Sequence, residues 1–141
     1  MTNNTDSPTE VEIGRYLTAY LYRVPKKNHD VITQNLKKFI PWFEKNGVKL
    51  EYYNLAGRET QEAVASSNAA GMEGMESIAK TLAAEDEDIW MELQYFRDHS
   101  HCKDVYAKMM KDNSIELLGN EFFSLITQGK KLITGGFNHL R

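Results

Sequence analysis

Hydrophobic and polar positions along the chain follow two periods, and the change from one to the other divides the sequence into strands and helices. Segments dense in Tyr, Leu, Ile, Val and Phe predict four β-strands, at residues 15–24, 48–55, 88–96 and 130–140. Apolar residues at helical spacing predict two amphipathic helices, at residues 28–47 and 100–113. The elements therefore run in the order β-α-β-β-α-β.

This order predicts an α+β fold of the ferredoxin-like type, with an antiparallel four-stranded sheet and both helices on one face. Residues 14–141 are expected to form a single domain after a disordered polar tail at 1–13. A long loop at 56–87, rich in small residues, separates the second and third strands and has room for a short helix around 74–82.

Three local signals refine the helices. Pro41 lies inside the first helical pattern and removes a backbone donor, so we expect a bend there. Gly47 is suited to the left-handed position that ends this helix. Asp98 or Ser100 can cap the second helix. Residues 114–126 predict one or two further helical turns.

Alternation along the strands predicts two different sheet faces. We expect the aliphatic face to receive the helices; it carries Leu17, Ala19, Leu21, Ile89, Met91 and Leu93. The opposite, aromatic face carries Tyr16, Thr18, Tyr20, Tyr22, Trp90, Glu92, Gln94 and Phe96, with Tyr52 or Tyr53 from the second strand. An open face with so many aromatic residues predicts a homodimer in which two sheets pack together.

Aromatic side chains with a few polar groups among them are also typical of a ligand cavity. We therefore predict a small-molecule site lined by Tyr20, Tyr22, Trp90, Glu92 and Gln94, either between sheet and helices or between two sheets. Glu92 favours a cavity, because a carboxylate among aromatic rings needs a partner or a raised pKa. A dimer interface without ligand, with Glu92 at its solvated rim, explains the same pattern.

The densest group of reactive side chains lies at residues 98–104 and includes His99, His101 and Cys102. The two histidines are two positions apart and point in different directions on a helix. Cys102 falls on the apolar stripe of that helix, where cysteine behaves as a small hydrophobic residue. We expect a helix cap here and no metal or other cofactor.

Composition excludes several functional classes. A net charge of −3 gives no general attraction for nucleic acid or for anionic membranes. No apolar run approaches the length of a membrane span, and the first residues lack the features of a signal peptide. A single cysteine excludes an internal disulfide and fits the reducing cytoplasm.

Four stretches resemble the uncharacterised YbaA-like family, a domain of unknown function within the dimeric α+β barrel superfamily. They are YRVPKK at 22–27, WFEKNGVKLEYY at 42–53, the pattern from His101 to Asp112, and GKKLITGGF at 129–137. The family usually carries Pro-Phe-Asp before the last stretch, where this chain has Ile126, Thr127 and Gln128. The resemblance implies the ferredoxin-like fold and a homodimer, and it implies no activity, cofactor or catalytic residue.

Three functions are compatible with these observations. The first is a homodimeric protein that binds a small molecule in an aromatic cavity. The second is an enzyme similar to cofactor-free monooxygenases, with Glu92 as the catalytic base. The third is a purely structural dimerisation module, because a fold alone does not select a function.

Overall fold

A computed structural model describes residues 14–55, 78–127 and 132–140. The predicted tail at 1–13 and most of the predicted 56–87 loop lie outside these residues. The strands are β1 (Tyr16–Pro25), β2 (Lys49–Asn54), β3 (Glu87–Phe96) and β4 (Ile133–Asn138). The helices are α1 (His29–Lys37), α2 (Ile40–Lys45), α3 (Ile78–Leu82), α4 (His99–Met109) and α5 (Asn113–Leu125), with a 3-10 turn at Lys26–Asn28 before α1.

The strands form one antiparallel sheet in the order β2-β3-β1-β4. The central pair, β1 and β3, is in register along its whole length, from Tyr16 opposite Phe96 to Pro25 opposite Glu87. Residues directly opposite one another share a face, so this register fixes which side chains meet. The α+β class with a four-stranded antiparallel sheet is thereby confirmed. Among the described residues, no helix combines the length and apolar character needed to cross a membrane.

The helices pack on the aromatic face of the sheet, so the predicted assignment of the two faces is wrong. One core cluster joins Tyr22, Val24 and Trp90 of the sheet to Ile32 and Leu36 of α1, and it also contains Ile126. A second cluster joins Phe96 to Phe43 of α2, to Cys102 and Val105 of α4, and to Val48. Tyrosine and tryptophan bury more apolar area than alanine or leucine, provided that their polar atoms find a place.

The aliphatic face is therefore the one turned away from the four helices α1, α2, α4 and α5. Leu17, Leu21, Met91 and Leu93 on this face are only partly buried. Phe137 of β4, opposite Leu17, is 55% exposed.

The break between α1 and α2 confirms the bend expected at Pro41. Helix α1 ends at Lys37 and α2 starts at Ile40, which places Pro41 in the first turn of α2, where no backbone donor is needed. Between them the amides of Lys38 and Phe39 bond the carbonyls three residues back. Gly47 follows α2 with a φ of 78°, so it takes the expected left-handed position.

A few polar contacts cap α5 and hold it against α1 and α2. Asp112 caps α5 through the amide of Ser114 and accepts a hydrogen bond from Trp42 Nε1 at 2.9 Å. Asn35 Nδ2 in α1 donates to Leu118 O and to Glu121 Oε1 of α5. Helix α5 is thus 13 residues long and docked along α1, whereas the sequence predicted only a turn or two.

Candidate functional site

The polar residues of the aromatic face meet in the middle of the sheet. Tyr20 lies opposite Glu92 and Thr18 lies opposite Gln94 on the central strands. The two apolar core clusters lie on either side of this polar row, one toward Trp90 and the other toward Phe96. The core is therefore divided in two, and the gap between its halves contains hydrogen-bonding side chains.

A cavity of about 630 Å³ lies above this polar row, between the sheet and the helices. That volume falls within the range of small-molecule sites in proteins. Its polar wall comes from β1, β3 and α4, and its apolar wall comes mainly from α1, α2 and α5. The residues that line it are Tyr20, Tyr22, Leu36, Phe39, Phe43, Glu92, Gln94, Tyr106, Met109, Met110, Ile115, Glu116, Gly119, Asn120, Phe122, Phe123 and Leu132.

Four of the five residues predicted to bind a ligand lie together at this cavity: Tyr20, Tyr22, Glu92 and Gln94. Trp90 does not line it. The Trp90 side chain is 6% exposed and lies in the core cluster with Tyr22, and its ring centroid is 5.4 Å from that of His29. The structure therefore places Trp90 behind the cavity wall.

A chain of hydrogen bonds organises the polar wall. Gln94 Oε1 accepts from Thr18 Oγ1 at 2.9 Å and from Tyr106 OH at 2.6 Å, which uses both of its lone pairs. Gln94 Nε2 donates to Glu92 Oε2 at 2.5 Å. The Tyr20 and Tyr106 hydroxyl oxygens are 2.6 Å apart. Because the Tyr106 hydroxyl donates its hydrogen bond to Gln94, Tyr20 is the donor in this contact. The network links β1, β3 and α4 through side chains alone.

Burial at the cavity wall raises the pKa of Glu92 to about 7, although the hydrogen bond from Gln94 and the nearby hydroxyl of Tyr22 favour its charged form. Among the described residues, the ion pairs join Arg23 to Glu87 and Lys49 to Glu51, and none of them includes Glu92. Glu92 is thus a carboxyl group that changes its charge near neutral pH, next to an apolar cavity.

The hydroxyl of Tyr22 is an unpaired polar group at the same wall. Tyr22 is 2% exposed, and its oxygen has no partner of ordinary hydrogen-bond geometry in the described part of the chain. Burial, and then the nearby charge of Glu92, raise the pKa of Tyr22, so the hydroxyl keeps its proton. An unpaired buried hydroxyl lowers the stability of the folded protein.

Sequence reasoning missed the contributions from the helices. Tyr106 falls on the apolar stripe of α4, yet its hydroxyl is central to the network. The signal was available, because a tyrosine on a buried helical face needs a partner for its hydroxyl. The apolar wall from α5, including Gly119 and Phe122, was missed because α5 is longer than its sequence suggested.

The reactive cluster at residues 98–104 is a helix start. Asp98 caps α4 by accepting from the amide of His101 at 2.8 Å, as expected. His101 Nδ1 accepts a hydrogen bond from the Arg97 amide, and Nε2 donates one to Asn46 O. Both ring nitrogens are therefore hydrogen-bonded to the backbone. Cys102 is buried, and that burial raises the pKa of its thiol. Within the described ranges, no group of three or more His, Cys, Asp or Glu side chains could hold a metal.

No protein-family model matches the sequence, and a search of curated proteins finds no significant relative. The resemblance to the YbaA-like family therefore stays a prediction based on the four stretches described above. The case for a function accordingly depends on the geometry of the cavity.

The raised pKa of Glu92 predicts a characteristic dependence of stability on pH. Between about pH 4.5 and pH 7 the unfolded chain ionises Glu92 while the folded protein keeps it protonated, so stability falls as the pH rises. The expected contribution is about 1.4 kcal/mol per pH unit, or about 3 kcal/mol in total. Urea unfolding at a series of pH values should show this fall, and Glu92→Gln should remove it.

Glu51→Gln is the matched control. Glu51 lies on the opposite sheet face, and a hydrogen bond from Tyr95 lowers its pKa, so its ionisation contributes in the opposite direction. This variant should retain the fall in stability between about pH 4.5 and pH 7. If the stability of Glu92→Gln changed with pH in parallel with that of the unmodified protein over this range, the raised pKa would not belong to Glu92.

Proposed function

We propose that the protein binds a small, largely apolar molecule in the cavity between its sheet and its helices. The observation that carries the proposal is the combination of a cavity of about 630 Å³ with an organised polar wall at one side. The network around Gln94 holds Glu92 and Tyr20 in place before any ligand arrives, which lowers the entropic cost of binding. The apolar residues of α1, α2 and α5 would enclose the body of the ligand.

We further propose that the chain has the ferredoxin-like plan of the dimeric α+β barrel superfamily and pairs as a homodimer. The strand order β2-β3-β1-β4 and the four helices on one face support this plan. In this arrangement the aliphatic face, with Leu17, Leu21 and Leu93, would pack against the same face of a second copy. The cavity then lies within each protomer, because it is on the other side of the sheet.

A specific observation also favours a second candidate, an enzyme similar to cofactor-free monooxygenases. A carboxyl with a pKa of about 7 at the wall of an aromatic cavity is suited to remove a proton from a bound substrate. Binding alone and catalysis differ in one outcome: a bound compound is recovered unchanged in the first case and consumed in the second. A purely structural module is disfavoured, because packing alone does not require a polar-walled cavity.

The proposed setting is the cytoplasm. A buried free thiol at Cys102 as the only cysteine suits a reducing compartment.

Filling the cavity should abolish binding of a small apolar probe. A Cβ atom added at Gly119 would meet no heavy atom within 4 Å, so this cavity-lining position has room for the start of a side chain, and we expect the leucine of Gly119→Leu to occupy part of the cavity. We expect the protein to bind the uncharged dye N-phenyl-1-naphthylamine, with an increase in its fluorescence, and Gly119→Leu to weaken binding at least about tenfold. Leu117→Phe is the control, because Leu117 is 70% exposed on the same helix and does not line the cavity. Equal affinity in Gly119→Leu would contradict the proposal.

A charge on the aliphatic face should separate the proposed dimer. Phe137 is 55% exposed on this face and Leu117 is 70% exposed on α5, so Phe137→Asp and Leu117→Asp place the same charge at two exposed apolar positions. Sedimentation velocity at micromolar concentration should show a dimer for the unmodified protein and for Leu117→Asp, and a monomer for Phe137→Asp, because burying an unpaired charge is costly. An unmodified protein that sediments as a monomer would rule out the dimer.

A further inference from the structure

The free hydrogen-bonding capacity of the polar wall consists mostly of acceptors. The proton of Tyr20 is directed to Tyr106, the proton of Tyr106 is directed to Gln94, and the Gln94 amide donates to Glu92. Among residues 14–55, 78–127 and 132–140, no hydrogen bond of ordinary geometry occupies the second carboxylate oxygen of Glu92 or the lone pairs of Tyr20. The Tyr22 hydroxyl is the one buried donor of this wall without a partner in the described residues, and it lies beside Glu92.

The direction of this chain is set by the carboxylate itself. An ionised Glu92 accepts hydrogen bonds only, so the Gln94 amide must turn its nitrogen toward it and its oxygen toward Thr18 and Tyr106. Once Gln94 is oriented, both hydroxyls must donate to its oxygen or to each other. The wall therefore offers acceptors and one negative charge to whatever occupies the cavity.

No protein cation in the described ranges neutralises that charge, since the ion pairs there involve Glu87 and Glu51. The cavity is bordered by the aromatic rings of Tyr20, Tyr22 and Phe43. Aromatic rings attract cations and give no such advantage to anions. A carboxylate surrounded by rings is the combination that recognises ammonium groups.

We infer that the ligand of this cavity is a protonated amine on an apolar body, with its ammonium group bound by the carboxylate of Glu92 and the phenolic oxygen of Tyr20. This inference rests on the proposed binding function and specifies its ligand class. The ammonium donates hydrogen bonds to the two free acceptors, and the Tyr22 hydroxyl lies beside the carboxylate. The apolar body lies against α1, α2 and α5, where the cavity wall is hydrophobic.

The titratable groups around the cavity make the binding depend on pH in one direction. Tyr22 and Tyr106 have pKa values raised by burial, as does Tyr52 of β2, whose pKa is also raised by the charge of Glu92. These hydroxyls stay neutral. Helices α1 and α2 contribute apolar side chains, and α5 contributes Glu116 at the exposed rim. The change of charge near neutral pH within the cavity therefore belongs to Glu92.

Three probes with the same body test the inference: 4-phenylbutylamine, 4-phenylbutanol and 4-phenylbutanoate, each titrated by calorimetry. At about pH 8 we expect the amine to bind at least about tenfold more tightly than the alcohol, and the carboxylate to bind most weakly. Amine affinity should rise about 30-fold between about pH 5.5 and pH 8.5, because the ionised fraction of a carboxyl with a pKa of about 7 rises from about 3% to about 97%. The alcohol should show no such rise.

Two variants locate the effect. Glu92→Gln keeps the volume and removes the charge, so it should abolish the preference for the amine and its dependence on pH. Glu51→Gln removes a carboxylate on the opposite face of the sheet, away from the cavity, and should leave both unchanged. In the unmodified protein, amine binding near neutral pH should also release protons, seen as a dependence of the binding heat on the buffer. This measurement does not depend on the folding of any variant.

Each other outcome has a definite meaning. If the alcohol or the carboxylate binds as tightly as the amine, or if the preference survives in Glu92→Gln, the inference is overturned while the cavity remains a binding site. If none of the three probes binds and the uncharged dye also fails to bind, both the inference and the proposed function are overturned.

Discussion

The structure depends on one constraint: each polar side chain that lies on a buried sheet face without a hydrogen-bond partner lowers the stability of the folded protein. The face that receives the helices carries tyrosines, a threonine, a glutamine and a glutamate among its aromatic rings. Gln94 satisfies this constraint by joining Thr18, Tyr106 and Glu92, so the middle of the sheet is held by side-chain hydrogen bonds. The two apolar core clusters lie at either end of this row, and the cavity lies between them.

The cavity owes its chemistry to the same row of residues. Its walls are apolar enough to raise the pKa of Glu92, and its hydrogen bonds are directed so that the carboxylate remains available. The proposed site is organised in advance, because Tyr20 is held by its hydrogen bond to Tyr106 and Glu92 by its hydrogen bond from Gln94. The long α5, docked on α1 through Asn35, supplies the apolar wall opposite.

Much of this arrangement could be predicted from the sequence. The alternation of residues along β1 and β3 placed Tyr20, Glu92 and Gln94 on one face, and the strand register brings them together. The prediction that the aliphatic face receives the helices was wrong. Hydropathy favours burial of leucine over tyrosine, but a tyrosine whose hydroxyl is paired buries more apolar area. A tyrosine on the buried face of α4 indicates that the Tyr106 hydroxyl has a partner, but the sequence does not show which one, since its partners lie on strands distant in the sequence. Likewise, alternation alone does not show that Trp90 lies behind Tyr22.

The central claim is that Glu92 is a carboxyl in an apolar cavity that titrates near neutral pH, and its ionisation can be measured directly. The side-chain carboxyl carbon of glutamate can be labelled with carbon-13 and followed by NMR as the pH is changed, with Glu92→Gln identifying the resonance. We expect a midpoint near pH 7. A midpoint near the ordinary value of 4.5 would show that Glu92 is solvated and would contradict the account.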